Sequence, residues 1–258
     1  MLPLPNRAIA TTTVLTLLSA GLLANTATAT PTGWTEIVEH AEMVAPAAQR
    51  TLFPQQSATL RYIGLFPTTM QLQRQQDRYQ ITVTANIPFR KIMLRSSGTL
   101  INNQFKPERF EDIRNDQPYA QTIFDHQKQE IRQGKANAAP SITPMPGQAF
   151  DPFSLAWQLS LNQGVMAAPF QLATGKGEVQ SHRPETLSIE RTIRATGRDS
   201  IEMAIQLISL PSKKHSRYGL AVDVGYLPAI FGFEDYALTI ESITVDGQNY
   251  GPNGQALP

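Results

Sequence analysis

The segment Tyr79-Gln80-Ile81-Thr82-Val83-Thr84-Ala85-Asn86-Ile87 decides the fold class. Tyr79, Ile81, Val83, Ala85 and Ile87 alternate without a break with Gln80, Thr82, Thr84 and Asn86. A period of two puts each set on its own face of a β-strand. One face is apolar and the other polar but uncharged, the pattern of an antiparallel sheet with one side on a core and one in water. Upstream, Ala58, Leu60, Tyr62 and Phe66 and then Met70 and Leu72 keep the same period, and Gln75-Gln76-Asp77 closes a hairpin. Downstream, strands are predicted over 92–101, 105–114 and 119–124, with Asn102-Asn103 and Asn115-Asp116 as turns. Further strands are read at 170–173, 187–195, 218–224 and 236–245. Ile201, Met203, Ile205 and Leu207 form another clean alternation, and Asp246-Gly247 is a turn signal.

Two segments break this period. Residues 135–150 lose it and carry Pro140, Pro144, Pro146 and Gly147, which reads as a mobile loop crossing between two halves of the structure. The stretch at about 151–163 reads as a helix. Asp151 is its N-cap, Pro152 suits the first turn, and Gly164 stands at the left-handed C-terminal position. Phe153, Trp157 and Leu161 lie on one side of this helix and Leu155 and Leu159 on nearly the opposite one, so more than one face must be covered. The expected fold is mainly β: a curved antiparallel sheet, sandwich or open barrel, around one buried helix. A short helix is also expected over 34–44, capped by Thr35 and ended by Pro46.

Composition narrows the function classes. The chain has 258 residues, 22 basic and 21 acidic side chains, and no cysteine. The near-zero balance argues against nucleic acid as a partner, which needs a surplus of Lys and Arg. Absent cysteine excludes disulfides, thiolate nucleophiles and Cys-ligated metals.

Residues 1–29 read as a secretory signal peptide. Arg7 supplies the positive start, 8–23 form an uncharged and mostly apolar stretch, and Ala27-Thr28-Ala29 offers small residues for cleavage. Thr11, Thr12, Thr13 and Thr16 dilute that stretch, which favours cleavage over retention as a membrane anchor. The mature chain is then expected to begin near Thr30, to lack a transmembrane segment and to reside in a bacterial periplasm. It divides into a lead-in at 30–56, one β-rich domain at 57–247 and a flexible tail at 248–258.

No chemical motif rises above background. His40, His126, His182 and His215 show no metal-ligand spacing, and no serine stands in a nucleophile motif. Asp125-His126 with Glu130 is the densest polar cluster and reads as solvated turn residues. Gly175-Lys176-Gly177 lacks the rest of a phosphate loop and reads as a hairpin turn. Glu111-Asp112 and Glu234-Asp235 are neighbours in sequence, which on a strand puts each pair on opposite faces. Lys213-Lys214-His215 with Arg217 forms a small basic patch, more a solvated turn than a headgroup site. Catalytic residues, cofactor and metal are therefore expected to be none. The apolar surplus suggests instead a concave face lined by Tyr62, Tyr79, Ile81, Val83, Phe153, Trp157, Leu161, Ile189, Met203 and Ile205, with Leu187 beside them. That face is either a tight core or room for an acyl chain.

Three stretches, Phe105-Lys106-Pro107-Glu108-Arg109-Phe110, Thr122-Ile123-Phe124-Asp125 and Asp151-Pro152-Phe153-Ser154-Leu155, occur in order before Leu227-Pro228. Together they resemble the exported bacterial family known as domain of unknown function 3108, over roughly residues 57–247. The resemblance implies an envelope address and a β-rich fold, and brings no activity or catalytic residue. The readings that follow are a non-enzymatic periplasmic protein binding an apolar envelope ligand such as a lipid or lipidated partner, or a structural or protein-interaction component of the envelope. An enzyme on envelope glycan or lipid ranks behind both.

Overall fold

The computed structural model describes residues 36–37, 52–196, 201–211, 216–233, 236–251 and 253–258. Strand β1 (Glu36–Ile37) precedes β2 (Ser57–Ile63), β3 (Thr68–Gln75), β4 (Arg78–Ile87), β5 (Arg90–Ile101), β6 (Gln104–Arg114), β7 (Gln117–Asp125), β8 (Glu130–Lys135) and β9 (Ser141–Pro144). Then come β10 (Gln148–Phe150), helix α1 (Pro152–Leu161), β11 (Phe170–Leu172) and β12 (Gln180–His182). The last six strands are β13 (Ser188–Thr196), β14 (Ile201–Ser209), β15 (Arg217–Ala221), β16 (Leu227–Phe233), β17 (Tyr236–Val245) and β18 (Gln248–Tyr250).

Among the described residues, fifteen strands form one antiparallel sheet in the order β1, β13, β14, β15, β16, β17, β2, β3, β4, β5, β6, β7, β8, β9, with β18 added beside β17. Tight turns set its registers. Asn102 and Asn103, Asn115 and Asp116, and Asp246 and Gly247 all have positive φ, the twist that two-residue hairpins require. The β17–β2 pairing joins distant parts of the chain, with Val245 opposite Ala58. The Asp246 carboxylate seals that joint by accepting from the amides of Gln55, Gln56 and Ser57 at 2.8 Å each.

The sheet is strongly bent but does not close into a barrel. Strands β16 and β6 are six steps apart in it, about 29 Å if it were flat. Yet the Phe153 ring of α1 lies 6.2 Å from Phe110 on β6 and 5.9 Å from Phe231 on β16. Those two rings are thus within about 12 Å of each other, so the layer wraps the helix. Bulges between Ser97 and Gly98, Asp112 and Ile113, Gly219 and Leu220, and Ile240 and Ser242 supply local bends. Gly98 is required at the first of these, because a Cβ there would sit 2.1 Å from the Lys106 carbonyl oxygen.

Helix α1 fills the concavity. Every residue from Ser154 to Ser160 is buried, as a helix apolar on most of its circumference demands. Trp157 is fully buried, donates from Nε1 to Met70 Sδ at 3.2 Å and meets the Phe53 ring edge-on at 5.9 Å. A second, three-stranded sheet flanks the helix: β10 runs parallel to β11, which pairs antiparallel with β12. The helix is therefore the crossover of a small β–α–β unit. A smaller apolar cluster of Phe110, Phe124, Ile131, Met145, Ala149 and Ala173 anchors that unit to the main sheet.

The mainly β class, the curved sheet and the buried helix are as expected from the sequence. Several details differ. Within 34–44 only Glu36 and Ile37 are described, and they pair with β13 as strand rather than helix; an edge offering unpaired backbone groups outweighs a weak apolar stripe. Residues 135–150 are not a loop, since they carry β9 and β10. β9 is an edge strand, where prolines leave no ladder bond unmade. The tail at 248–258 is tied down by β18 and by Leu257 N–H donating to Asn249 O at 2.8 Å. In β14, Met203, Ile205 and Leu207 are buried and so are Gln206 and Ile208 on the other side, so that strand is covered on both faces.

Replacing Trp157 by Ala is expected to cost about 3–5 kcal/mol, read as a loss of denaturant midpoint at unchanged slope. An unchanged midpoint would remove the helix from the core.

Candidate functional site

The strongest convergence of polar groups lies at the N-terminus of α1. Asp151 is completely buried. Its Oδ1 accepts from the amides of Phe153 and Ser154 at 3.0 and 3.1 Å, and its Oδ2 accepts from Ser96 Oγ at 2.6 Å and Ser154 Oγ at 2.7 Å. Ser154 Oγ in turn accepts from the Asp151 amide at 3.0 Å, completing a capping box. The Tyr79 hydroxyl stands 3.4 Å from Ser96 Oγ. Burial raises the Asp151 carboxyl above its ordinary range, against the pull of the four donors. Burial likewise raises Tyr79 and Tyr218, and the Asp151 charge adds to it. The group is sealed inside the core, so its chemistry is that of a joint between helix and sheet.

The residues read as a ligand-lining face are mostly core. Tyr62, Tyr79, Ile81, Val83, Trp157, Met203 and Ile205 are buried in one cluster, with Phe153, Leu161 and Leu187 packed at its border. Tyr62 donates to the Pro228 carbonyl oxygen at 2.8 Å and meets Phe231 edge-on. Ile189, contrary to expectation, does not belong to the core: it is 48 % exposed. It pairs with Ile208 but lies on β13, near the sheet's edge, beyond the cover that buries its partner.

A cleft of about 320 Å³ opens at the C-terminal end of α1, lined in part by Phe53, Arg74, Leu100, Ser160, Leu161 and Tyr226. The buried Ser160 Oγ and Arg74 Nε make no hydrogen bond. Arg74 Nη1 donates to the Pro54 carbonyl oxygen at 2.6 Å, and its guanidinium lies over the Phe53 ring. Arg74 also acts on the Asp246 carboxylate, so what the cleft offers is chiefly its apolar wall.

The other sequence candidates do not assemble. Asp125 accepts from the Lys128 amide at 2.9 Å, which holds its pKa below the usual range. Glu130 is paired with Arg132, and His126 Nε2 is 2.8 Å from the Pro107 carbonyl oxygen. Each is engaged locally, as turn residues are. Gly175 and Gly177 have φ of +84° and +83°, the geometry of a turn between β11 and β12. Glu111 faces Arg95 and Arg109, whereas Asp112 turns to the other side and pairs with Arg114. Residues 212–215, 234–235 and His40 lie outside the described residues. Among the described residues no group of three or more His, Cys, Asp or Glu is placed to hold a metal ion. No helix there is long and apolar enough to cross a membrane.

One residue carried no sequence signal as a special site. His182 on β12 is buried, both ring nitrogens lack a hydrogen-bond partner, and the ring stacks at 5.3 Å on Phe170. Burial lowers its pKa below the ordinary value of 6.5. The folded state therefore resists a proton that the unfolded chain accepts. Stability is full above the unfolded value and falls as pH drops below about 6.5. His182→Phe keeps the stack, and urea unfolding from pH 7.5 to 5 is expected to show a flatter decline than the parent. Equal declines would refute the assignment.

No family model, curated protein or solved structure matches this chain.

Proposed function

We propose that the chain is an exported, periplasmic cell-envelope protein without catalytic function, which works by presenting its exterior to envelope components. The observation that carries this reading is the filled interior. Trp157 and its neighbours occupy the space an acyl chain would need, and the buried carboxylate at the helix start is capped rather than open to a substrate. The leader-like residues 1–29 support the address. The four segments quoted above support a place among the exported proteins of domain of unknown function 3108.

One observation favours a second reading, binding of a small apolar or amphipathic envelope ligand: the cleft of about 320 Å³ with Phe53, Leu100, Leu161 and Tyr226 in its wall.

Two measurements test these readings, the first the address they share and the second the choice between them. Protein recovered from the periplasm by osmotic shock is expected to begin at Thr30; retention of residues 1–29 in the cytoplasm would overturn the address. Native mass spectrometry of the same material is expected to give the bare chain mass. A reproducible lipid adduct that disappears in Leu161→Glu would establish the cleft as the working site instead.

A further inference from the structure

The two ends of the sheet differ in what their turns carry. At one end the turns hold Gln76 and Asp77, Asn102 and Asn103, and Asp246 and Gly247, all polar or glycine. At the other end the Asn115–Asp116 turn is polar as well, but the β2–β3 and β4–β5 connections expose apolar side chains. Leu65 is 68 % exposed and Phe89 103 % exposed, and Pro67 and Pro88 are exposed beside them. Phe66 and Ile87 are half-buried at their bases.

Register puts these tips on one rim. Tyr62 is opposite Thr68, Thr68 opposite Ala85, and Ala85 opposite Ile92, so both connections project beyond the same level. Their hairpins lie two strand spacings apart, about 10 Å. Phe89 carries a second oddity. Pro88 holds the first corner of the turn, and Phe89 takes the second at φ +64°, where Gly or Asn is favoured and a bulky residue is an outlier. A conformational cost and a fully exposed aromatic ring thus coincide at one position, which points to use of the ring outside the fold.

Charge identifies what the ring meets. Around the tips the exposed cations are Arg61, Arg90 and Lys91, with Arg217 further along the same rim. The described acids there are Glu241 and Asp116, the latter 3.1 Å from Lys91 in a pair open to solvent. Apolar tips set among cations match the layering of an anionic bilayer, with phosphates outside and hydrocarbon beneath.

We propose, on the reading that the chain works through its exterior, that this rim docks on an anionic lipid bilayer, with Phe89 and Leu65 entering the interface and Arg90 and Lys91 on headgroup phosphates. The probe is vesicles of phosphatidylglycerol and phosphatidylcholine in equal parts, with pure phosphatidylcholine as control. Full-chain protein and variants share the same N-terminus, so any contribution from a leader cancels in the comparison. Phe89→Asn with Leu65→Ser is expected to lower the partition coefficient about tenfold or more, as loss of two inserted side chains requires. The substitutions touch no core contact, and Asn suits the left-handed corner, so an unchanged melting temperature confirms that the variant is folded. Arg90→Gln with Lys91→Gln is expected to lower binding several-fold at low salt and little at high salt. Because the chain lacks cysteine, a fluorophore on Phe89→Cys reports the tip alone and is expected to shift to the blue on anionic vesicles.

Failure of the parent to sediment with anionic vesicles, or equal sedimentation of the Phe89/Leu65 variant, overturns the proposal. A label at position 89 that cross-links to an envelope protein while vesicles stay unbound assigns the rim to a protein partner instead. Vesicle binding is independent of the compartment assay, so a cytoplasmic chain that binds vesicles refutes the export reading alone.

Discussion

A helix buried on every side has nowhere to send the unpaired amides and carbonyls of its ends except into the structure around it. That constraint organises this molecule. At the start of α1 the Asp151 carboxylate takes two helix amides and reaches Ser96 on β5. Near its end Gln158 accepts from the Phe105 amide and donates to the Asn103 carbonyl oxygen, gripping the β5–β6 hairpin. Just beyond, Gln206 of β14 donates to the Gln163 carbonyl oxygen, and Gly164 has φ +84° where a Cβ would meet Gln206 Nε2 at 1.9 Å. The helix is thereby fastened to both arms of the sheet, and the bend follows from those fastenings as much as from the bulges.

This explains why the fold class was legible and parts of the topology were not. Period-two alternation in 79–87 and cap chemistry at Asp151 are local signals, written into residues that are neighbours in sequence. The parallel pairing of β10 with β11 has no such signal: its partners lie 22 positions apart, on either side of the helix. Pro144 concealed β9 because proline usually marks a break, although on an edge strand it leaves no bond unmade. The lining residues were legible as apolar, but exposure depends on what lies across from them. Ile205 and Ile189 read alike in sequence, yet pairing with Ile208 puts Ile189 on the opposite face from Ile205, on a strand near the sheet's edge.

The polar joints were legible only in part. Asp151 was evident as a cap from the Asp-Pro pair, but its link to Ser96 spans 55 positions and passes through sheet curvature. His182 was less evident still. Its isolation results from neighbours that offer a ring to stack on and no polar group to bond. Such an arrangement is tolerated because neutral imidazole sheds less hydration on burial than a charged group does.

A filled interior shifts the question of function to the surface, and there the fold imposes a further asymmetry. In an antiparallel sheet alternate connections collect at opposite ends, so a sequence decorates each end independently by choosing every second turn. Here one set is built from Asn, Asp, Gln and Gly, residues that stabilise their own turns locally. The other set, besides the Asn115–Asp116 turn, includes the Pro88–Phe89 corner, where Phe89 suits its left-handed position poorly, and the Gly64–Pro67 connection, which leaves Leu65 exposed. A body whose core needs neither tip, yet whose sequence keeps both apolar, has one distinguishable pole. That polarity gives an otherwise wrapped and featureless sheet a direction in which to face a partner.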